Sequence, residues 1–501
     1  MRTILIVGAG QSGLQLALGL QSQGYEITLM SNRTADEIRG GRVMSTQCMF
    51  RTALGHERDL GLNFWEELAP RVEGLGISVA GPPTPQGHPR AVDWVGRLDG
   101  WAQSVDQRIK MAGWMEAFEQ RGGQVVIHGA AVSDLDFLTR RYDLALVAAG
   151  KGELGSLFGR DAARSPYDTP RRSLAVAYVH GLGPRPEHPD VEAVRCNIVP
   201  GVGELFVMPA LTLTGRADIL FWECVPGGPA DVFRGITDPS EHLERTLELM
   251  ERFTPWEYAR ATKVELTDAG ATLTGGYTPT VRDPVGRLPG GGLVLGVADV
   301  VVANDPITGQ GSNSAAKCAA VYLESILEHG DRPFDEEWMR TTFDRYWQTA
   351  RHVTKWTNTM LAPPREHLAD LLRAGVTLPA VAHRIANGFD DPSGFEDFLY
   401  EPEKAAAFLE EARAEAERDG DAAEAEGDGD AAEVEGDGDA AGAGREGAAG
   451  NAGPGGAVGE PGPGGAVGEP GPDDDDDDGD RDDDDDGDEV AGKAAAVWSL
   501  G

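Results

Sequence analysis

The sequence predicts an α/β fold, and three observations predict it. An apolar run at residues 3–7 passes straight into Gly8-Ala9-Gly10-Gln11-Ser12-Gly13, and a helical apolar pattern follows at 12–23. Strand-like and helix-like stretches then alternate along most of the chain, as in a sheet with helices packed on its faces. Residues 172–275 break that alternation with short strands in Gly/Pro-rich surroundings, which marks a separate, β-rich layer.

The elements follow from their patterns in order. Residues 3–7 read as a buried parallel strand. They do not form a secretory leader, because the apolar run stops after four residues at the glycines and no cleavage site follows. Residues 12–23 place Leu14, Leu16, Ala17, Leu18 and Leu20 at helical spacing, and 26–30 form a second strand. Residues 98–121 read as a helix ended by Gly122-Gly123, with Ile109, Met115 and Phe118 on its apolar side. Strands are expected at 124–128 and 144–148, then at 174–179, 204–208, 219–223 and 271–273 in the β-rich layer. A buried strand returns at 293–297, a long helix spans 308–328, and 335–415 is helical with proline breaks.

Charge separates the body from the tail. The 501 residues carry a net charge of −39, and residues 419–501 hold 27 acidic side chains against 3 basic ones. That tail repeats EGDGDAA and PGPGGAVGE and ends in Asp runs. It has too little apolar surface to offset its chain entropy and is expected to be disordered. The remaining 418 residues are mildly acidic, which excludes a generally basic nucleic-acid binder. Cys48, Cys196, Cys224 and Cys318 lack metal-site spacing and suggest reduced thiols in a cytoplasmic protein. The ten histidines show no ligand spacing such as HExxH.

Gly8-Ala9-Gly10-Gln11-Ser12-Gly13 is GxGxxG between a strand and a helix, the context that gives this pattern meaning. Gly8 allows a tight turn, Gly10 lets backbone approach a pyrophosphate, and Gly13 allows close helix–strand packing; Gln11 and Ser12 open the helix towards the anion. The ribose-binding acid expected about 20 residues on is missing, because that stretch reads Leu29-Met30-Ser31-Asn32-Arg33. Asn32 can bond a ribose hydroxyl, and Arg33 can face adenine or a phosphate, including the 2′-phosphate of NADP. A second GxGxxG begins at Gly150 and ends at Gly155. No strand and acid follow it at βαβ spacing, so a nicotinamide site there is the weaker reading.

Three further segments narrow the class: 142–151 (YDLALVAAGK), Gly296-Val297-Ala298-Asp299, and 304–313 (NDPITGQGSN). With the first glycine loop and Lys355-Trp356-Thr357-Asn358, they resemble the FAD-dependent monooxygenases of glutathione-reductase-like fold. More narrowly they resemble the styrene/indole monooxygenases, the oxygenase components of two-component systems. The resemblance covers residues 1–415 and stops at the tail. It implies a discontinuous FAD-binding domain at 1–170 and 275–330 and a β-rich substrate domain at 171–274, with part of 45–95 lining the pocket. A helical region at 331–418 and the tail at 419–501 complete the chain.

The resemblance implies cofactor roles for Gly150 at a strand end and for Asp299, whose carboxylate can accept from ribityl hydroxyls. Pro306, Gly309, Gly311, Ser312 and Asn313 would face the flavin pyrimidine at a helix N-terminus, where negative charge is favoured. Arg42, after Gly40-Gly41, would lie against the cofactor. Above the flavin, the indole-preferring branch has Ser, Gln and Met, and this chain has Ser45, Gln47 and Met49. The aligned pocket positions Val72 and Leu75 fit the same branch, while Pro89 at the last position matches neither.

The implied activity is epoxidation of indole or a related aromatic alkene by O₂ and externally reduced FAD through a C4a-hydroperoxyflavin. No catalytic side chain is then required, because the cofactor carries the chemistry. A separate NAD(P)H-dependent flavin reductase and a small aromatic substrate are the expected partners, with no nucleic acid, membrane or metal. Related oxygenases are commonly dimers. Two other readings stay open: a styrene-type epoxidase or single-component NAD(P)H-dependent aromatic hydroxylase, and a degenerate flavin-binding scaffold.

Overall fold

The computed structural model describes residues 2–85, 87–149 and 153–431, with side chains as far as Arg418. One compact unit takes in residues 1–416. A second comprises 417–487, and its described part, 417–431, is helical. Among the described residues, no helix is long and apolar enough to cross a membrane.

The first layer is a six-stranded sheet ordered Val285–Arg287, Leu293–Gly296, Leu144–Val147, Thr3–Val7, Glu26–Ser31, Gln124–Ile127. All its pairings are parallel except the Val285–Arg287 edge. Ile4, Leu5 and Ile6 are fully buried at its centre, as expected of a parallel strand covered on both faces. The helices Gln11–Ser22 and Gly311–His329 pack closely together: a Cβ added at Gly19 would come within 2.9 Å of Leu323 Cδ2.

The second layer runs Glu265–Leu266, Ser173–His180, Gly215–Cys224, Gly203–Thr212, Ala193–Val199, Val72–Ala80, Arg90–Ala102, with Thr272–Gly276 also on Ser173–His180. Its side chains alternate in strand fashion. Val176, Tyr178, Phe206, Met208 and Phe221 enter one core with Leu75, Ile77, Trp356 and Phe389. Ala175, Ala177, Leu205, Val207 and Trp222 enter another, beneath the helix Pro239–Phe253.

Three expectations change. Residues 98–102 belong to the strand Arg90–Ala102, and the helix spans Gln107–Gln120 with Asp106 accepting from the Arg108 N–H at 2.8 Å. Pairing with Val72–Ala80 overrides the local helical pattern there. The hairpin 72–102 therefore joins the β-rich layer, which begins about 100 residues ahead of its expected start. At the other end, the helix Pro402–Ala431 passes the predicted boundary at 419, since its Ala/Glu-rich sequence favours helix. Residues 432–501, the rest of the expected disordered tail, lie outside the described residues.

Candidate cofactor and substrate site

The parallel sheet brings four chain segments together at its carboxyl edge. The Gly8 N–H donates to Met30 O (2.9 Å), the Ala148 N–H to Val7 O (2.7 Å) and the Val297 N–H to Val147 O (2.9 Å). The glycine loop, Asn32, the end of the Leu144–Val147 strand and Asp299 therefore share one rim, the place where open α/β sheets bind ligands.

Each loop glycine has a different physical reason. Gly8 has φ +116°, and a Cβ there would meet Ala148 backbone at 2.8 Å. At Gly13 a Cβ would fall 2.0 Å from Gly8 O. At Gly10 it would meet nothing within 4 Å, so the space is open. Gly10 caps the helix Gln11–Ser22 without a side-chain bond, and the first turn holds no acid. Its free N–H groups face that open space, as a bound pyrophosphate requires.

Gln11 and Ser12 are both buried. The Gln11 side chain turns inward, donating to Glu57 Oε1 at 2.9 Å and Gln15 Oε1 at 3.2 Å. Gln11 therefore offers a ligand its backbone and not its amide. Asn32 is exposed at the strand end, and Arg33 Nη2 lies 2.8 Å from Met44 Sδ. Arg42 is exposed and makes no ion pair with the described residues. Gly150 and the next two residues lie outside the described residues.

Asp299 sits in the 3₁₀ turn Ala298–Val300. Ala298 before it is the one non-glycine described residue with positive φ (51°), and its N–H donates to Cys318 Sγ at 3.3 Å. Such strain persists only where surrounding structure enforces it, and here it sets where Asp299 emerges. Surrounding protein pushes the Asp299 carboxyl up to about 6 against the pull of Arg282. One side of the residue is open to solvent, which moderates that rise.

The segment 304–313 forms a second helix N-terminus on the same layer. Asp305 caps the 3₁₀ turn Pro306–Thr308, Gly309 is left-handed (φ 64°), and the helix Gly311–His329 starts without a side-chain cap. A Cβ at Gly311 would again meet nothing within 4 Å. Ser312 is half-buried. Asn313 departs from its expected cofactor role. Fully buried, it accepts from the Phe50 N–H at 2.9 Å and donates to Cys48 O at 2.8 Å and Gly309 O at 3.3 Å. All of its amide bonds are internal, and they clasp the segment 48–50 to the helix.

The pocket candidates separate into different environments. Ser45 Oγ accepts from Gln107 Nε2 at 2.7 Å, and its carbonyl accepts from Tyr178 OH at 3.2 Å. Gln47 is 5 % exposed; its Nε2 donates to Val105 O, and its Oε1 has no partner among the described residues. Met49 is fully packed against Ala53, Leu54 and Ala316, which makes it a core residue of the helix Gly311–His329 contact rather than a pocket wall. Val72 and Leu75 are buried in the inner sheet core with Val43, Tyr178, Phe206 and Phe221.

Pro89 is misplaced by the sequence reading. It is exposed at the far end of the hairpin, bonding Gly81, about 20 Å along the strand from Leu75. The residues beside Leu75 and Gly76 are Gly96 and Val95. Sequence reasoning missed Tyr178, Phe206 and Phe221, each of which lies in a predicted strand two positions from another apolar residue of the same core, Val176, Met208 and Ile219. It also missed the Thr308–Thr357 hydroxyl pair at 2.8 Å, which ties the 304–313 segment to the 355–358 stretch.

Comparison with known proteins places this geometry. Residues 150–260 match the family model "Styrene monooxygenase A putative substrate binding domain". The styrene monooxygenase StyA of Pseudomonas fluorescens is 30 % identical over 415 residues, covering 80 % of this chain and 96 % of that protein. StyA of a Pseudomonas sp. matches to the same extent. Among solved structures, the flavin-dependent brominase Bmp2 superposes with TM-score 0.53 at 13 % identity, over 83 % of this chain and 99 % of that one. The chondrochloren halogenase CndH, an FAD-dependent enzyme, gives 0.53 at 12 % identity, over 82 % and 89 %. At those identities the two halogenases establish the fold alone.

Proposed function

The chain belongs to the styrene monooxygenase A family of FAD-dependent oxygenases, and on that premise we propose that it oxygenates indole or a related N–H-bearing aromatic alkene. The observation that carries the substrate is Gln47. Its Nε2 is committed to Val105 O, which fixes the amide with Oε1 unpaired, and Ser104 Oγ donates to the Gln47 main-chain carbonyl. A buried acceptor left without a donor costs about 1–3 kcal/mol. An indole N–H removes that cost and a vinyl arene cannot.

The backbone around Gln47 is held by Met49 and Gln103, which exchange N–H···O bonds of 2.8 and 2.9 Å. Oε1 is closed off from water, so a ring reaches it by displacing the side chains packed over it. The apolar inner face of Phe206, Phe221 and Tyr178 supplies the dry wall that an oxygenation site needs.

The residues present fit FAD. The open space at Gly10 before an uncapped helix suits a pyrophosphate, and exposed Asn32 suits the adenosine ribose. Asp299 suits ribityl hydroxyls, and the uncapped Gly311 N-terminus suits a flavin ring edge that gains negative charge on reduction. When bound, reduced FAD would supply the electrons that activate O₂, and O₂ the transferred oxygen atom. We assign the reduction to a separate NAD(P)H-dependent flavin reductase, in keeping with StyA-type oxygenases, which work with such a reductase.

The test supplies purified protein with FAD, a separate flavin reductase, NADH, air and catalase, and compares indole with styrene. Indigo with little styrene oxide is expected. Styrene oxide with little indigo would keep the family and overturn the role given to Gln47. Neither product, with FAD bound, would overturn both substrates.

A further inference from the structure

The helix Pro239–Phe253 and the edge strand Glu265–Leu266 enclose an open groove of about 590 Å³ on the outer side of the second layer. Its floor is apolar. Leu243 and Leu247 lie one helical turn apart, Val264 and Leu266 lie two residues apart, and Tyr258 joins them. All five are half-buried, packed on the outer core beneath this helix, and what they leave uncovered lines the groove.

The rim is acidic. Glu244, Glu248 and Glu251 follow at i, i+4 and i+7 along the helix, and Glu265 stands on the strand side. All four are exposed. Among the described residues these four carboxylates wall the groove with no Lys or Arg. Arg245 lies 2.7 Å from Glu248 and 3.9 Å from Glu241. Glu244, Glu251 and Glu265 make no ion pair with the described residues. Like charges one turn apart weaken a helix, so this stripe does not serve the helix itself.

The charge selects what fits. A second copy docking by two-fold symmetry would set the same carboxylates against one another. Residues 419–501 carry 27 acidic side chains against 3 basic ones and are repelled in the same way. So are nucleic acids and anionic membranes. An apolar floor between acidic rims instead complements an apolar face flanked by cations.

We propose that this groove docks a partner protein through a basic amphipathic helix, its apolar side chains on Leu243, Leu247, Val264 and Leu266 and its Lys or Arg over the four glutamates. The wall from Ser240 to Glu251 runs about 16 Å at about 1.5 Å per residue, so three turns of a partner helix span it. Such a helix repeats apolar residues at i, i+3, i+4 and i+7, with basic ones beside them. The exposed charges steer the encounter and are screened by salt, while the apolar contacts hold the complex.

The probe is a synthetic Leu/Lys helix of about 14 residues with that spacing, and its control has every Lys replaced by Glu. Fluorescence anisotropy with the full-length protein should show the Lys peptide binding at least about tenfold more tightly than the Glu peptide. The double variant Glu244→Lys/Glu251→Lys should weaken the Lys peptide about tenfold or more, and so should Leu247→Gln. Glu26→Lys/Glu119→Lys makes the same charge change on exposed residues of the first layer's strand Glu26–Ser31 and of the helix Gln107–Gln120. It should leave binding within about twofold of wild type.

Equal weakening in the two double variants would report a general attraction to an acidic chain and overturns the proposal. Equal binding of the two peptides, or binding of neither, overturns it as well. If half-buried Leu247→Gln does not fold, the exposed rim variant decides alone. Sedimentation of the wild type covers the other occupant: a dimer whose affinity Glu244→Lys/Glu251→Lys changes gives the groove to a second copy and overturns the partner.

Discussion

Replacing Gln47 with Leu removes one polar group from the proposed substrate site and tests the reasoning there most directly. In the wild-type chain the Gln47 amide is fixed by Val105 O, and Oε1 is left unpaired. With indole bound, Oε1 gains a donor. With styrene bound, it stays unpaired at a cost of about 1–3 kcal/mol, a factor of about 5–150 in relative kcat/KM. In Gln47→Leu that difference vanishes, so the indole-to-styrene ratio should fall by the same factor of about 5–150, largely through a loss for indole. The substitution also strips Val105 O of its donor, so a loss of about 1–3 kcal/mol in stability should accompany it. The assay is initial product formation from each substrate with one enzyme preparation, one reductase and one FAD stock. Errors in flavin loading then cancel in the ratio. A ratio within about twofold of wild type, with both substrates turned over, would refute the assignment of Oε1 to the substrate.

Other outcomes follow from the same structure. Gly13→Ala places a methyl 2.0 Å from Gly8 O and should cost more than about 3 kcal/mol in thermal unfolding, whereas Gly10→Ala meets nothing and should leave Tm nearly unchanged while weakening FAD about tenfold or more. Equal effects of the two on Tm would contradict the geometry of the loop. Asp299→Ala should weaken FAD at least about tenfold by fluorescence titration, through loss of charge-assisted bonds, and unchanged affinity would remove its assigned role. His242, buried and 4.8 Å from the Phe233 ring, is pushed down by burial to about 4, so the folded state binds its proton less readily than the unfolded state. Its contribution is present above about pH 6.5 and is lost as pH falls from there towards 4, up to about 3 kcal/mol. His242→Gln should flatten the fall in urea midpoint across that range, and a parallel fall in both proteins would exclude His242 as its source.

The glycine loop was legible residue by residue, because the roles of Gly8, Gly10 and Gly13 are set within one turn and its two neighbours. Asp299 and the 304–313 loop were legible through resemblance alone. Their place depends on Leu295 pairing with Leu146 and on helix packing across some 300 residues. The hairpin 72–102 was invisible in the sequence, and Pro89, which came from aligned pocket positions, lies at its far end from Leu75. Local context suggested that Gln11 opens towards the ligand, and resemblance suggested the same of Asn313. Their amides are claimed by Glu57, 46 residues away, and by Phe50, 263 residues away. Asp238-Pro239 carried a sound helix-start signal, with Asp238 accepting from the Ser240 N–H at 2.7 Å, but it lay inside a stretch read as β-rich.

The buried polar groups that remain around the proposed substrate segment explain how a chain whose chemistry is assigned to a cofactor can still be exact about geometry. Arg108, 1 % exposed, bonds Asp106 at 2.7 Å, Asp268 at 2.8 and 2.9 Å and the Gly41 carbonyl at 3.3 Å. The Val43 N–H reaches Gly270 O at 2.9 Å, Ser45 is bonded by Gln107 and Tyr178, and Gln47 by Val105 and Ser104. Segment 41–49 is thus sewn to the β-rich layer on one side and, through Asn313, to the helix Gly311–His329 on the other. Such buried bonds add little net stability, since each exchanges with water on unfolding. Their effect is to fix the backbone: segment 41–49 and the Gly311 N-terminus are held in one frame, so the rearrangement that opens Gln47 Oε1 is left to the side chains packed over it. When the reacting group belongs to a cofactor, rigidity and dryness are what the chain can contribute, and that is where these sequence-distant bonds are concentrated.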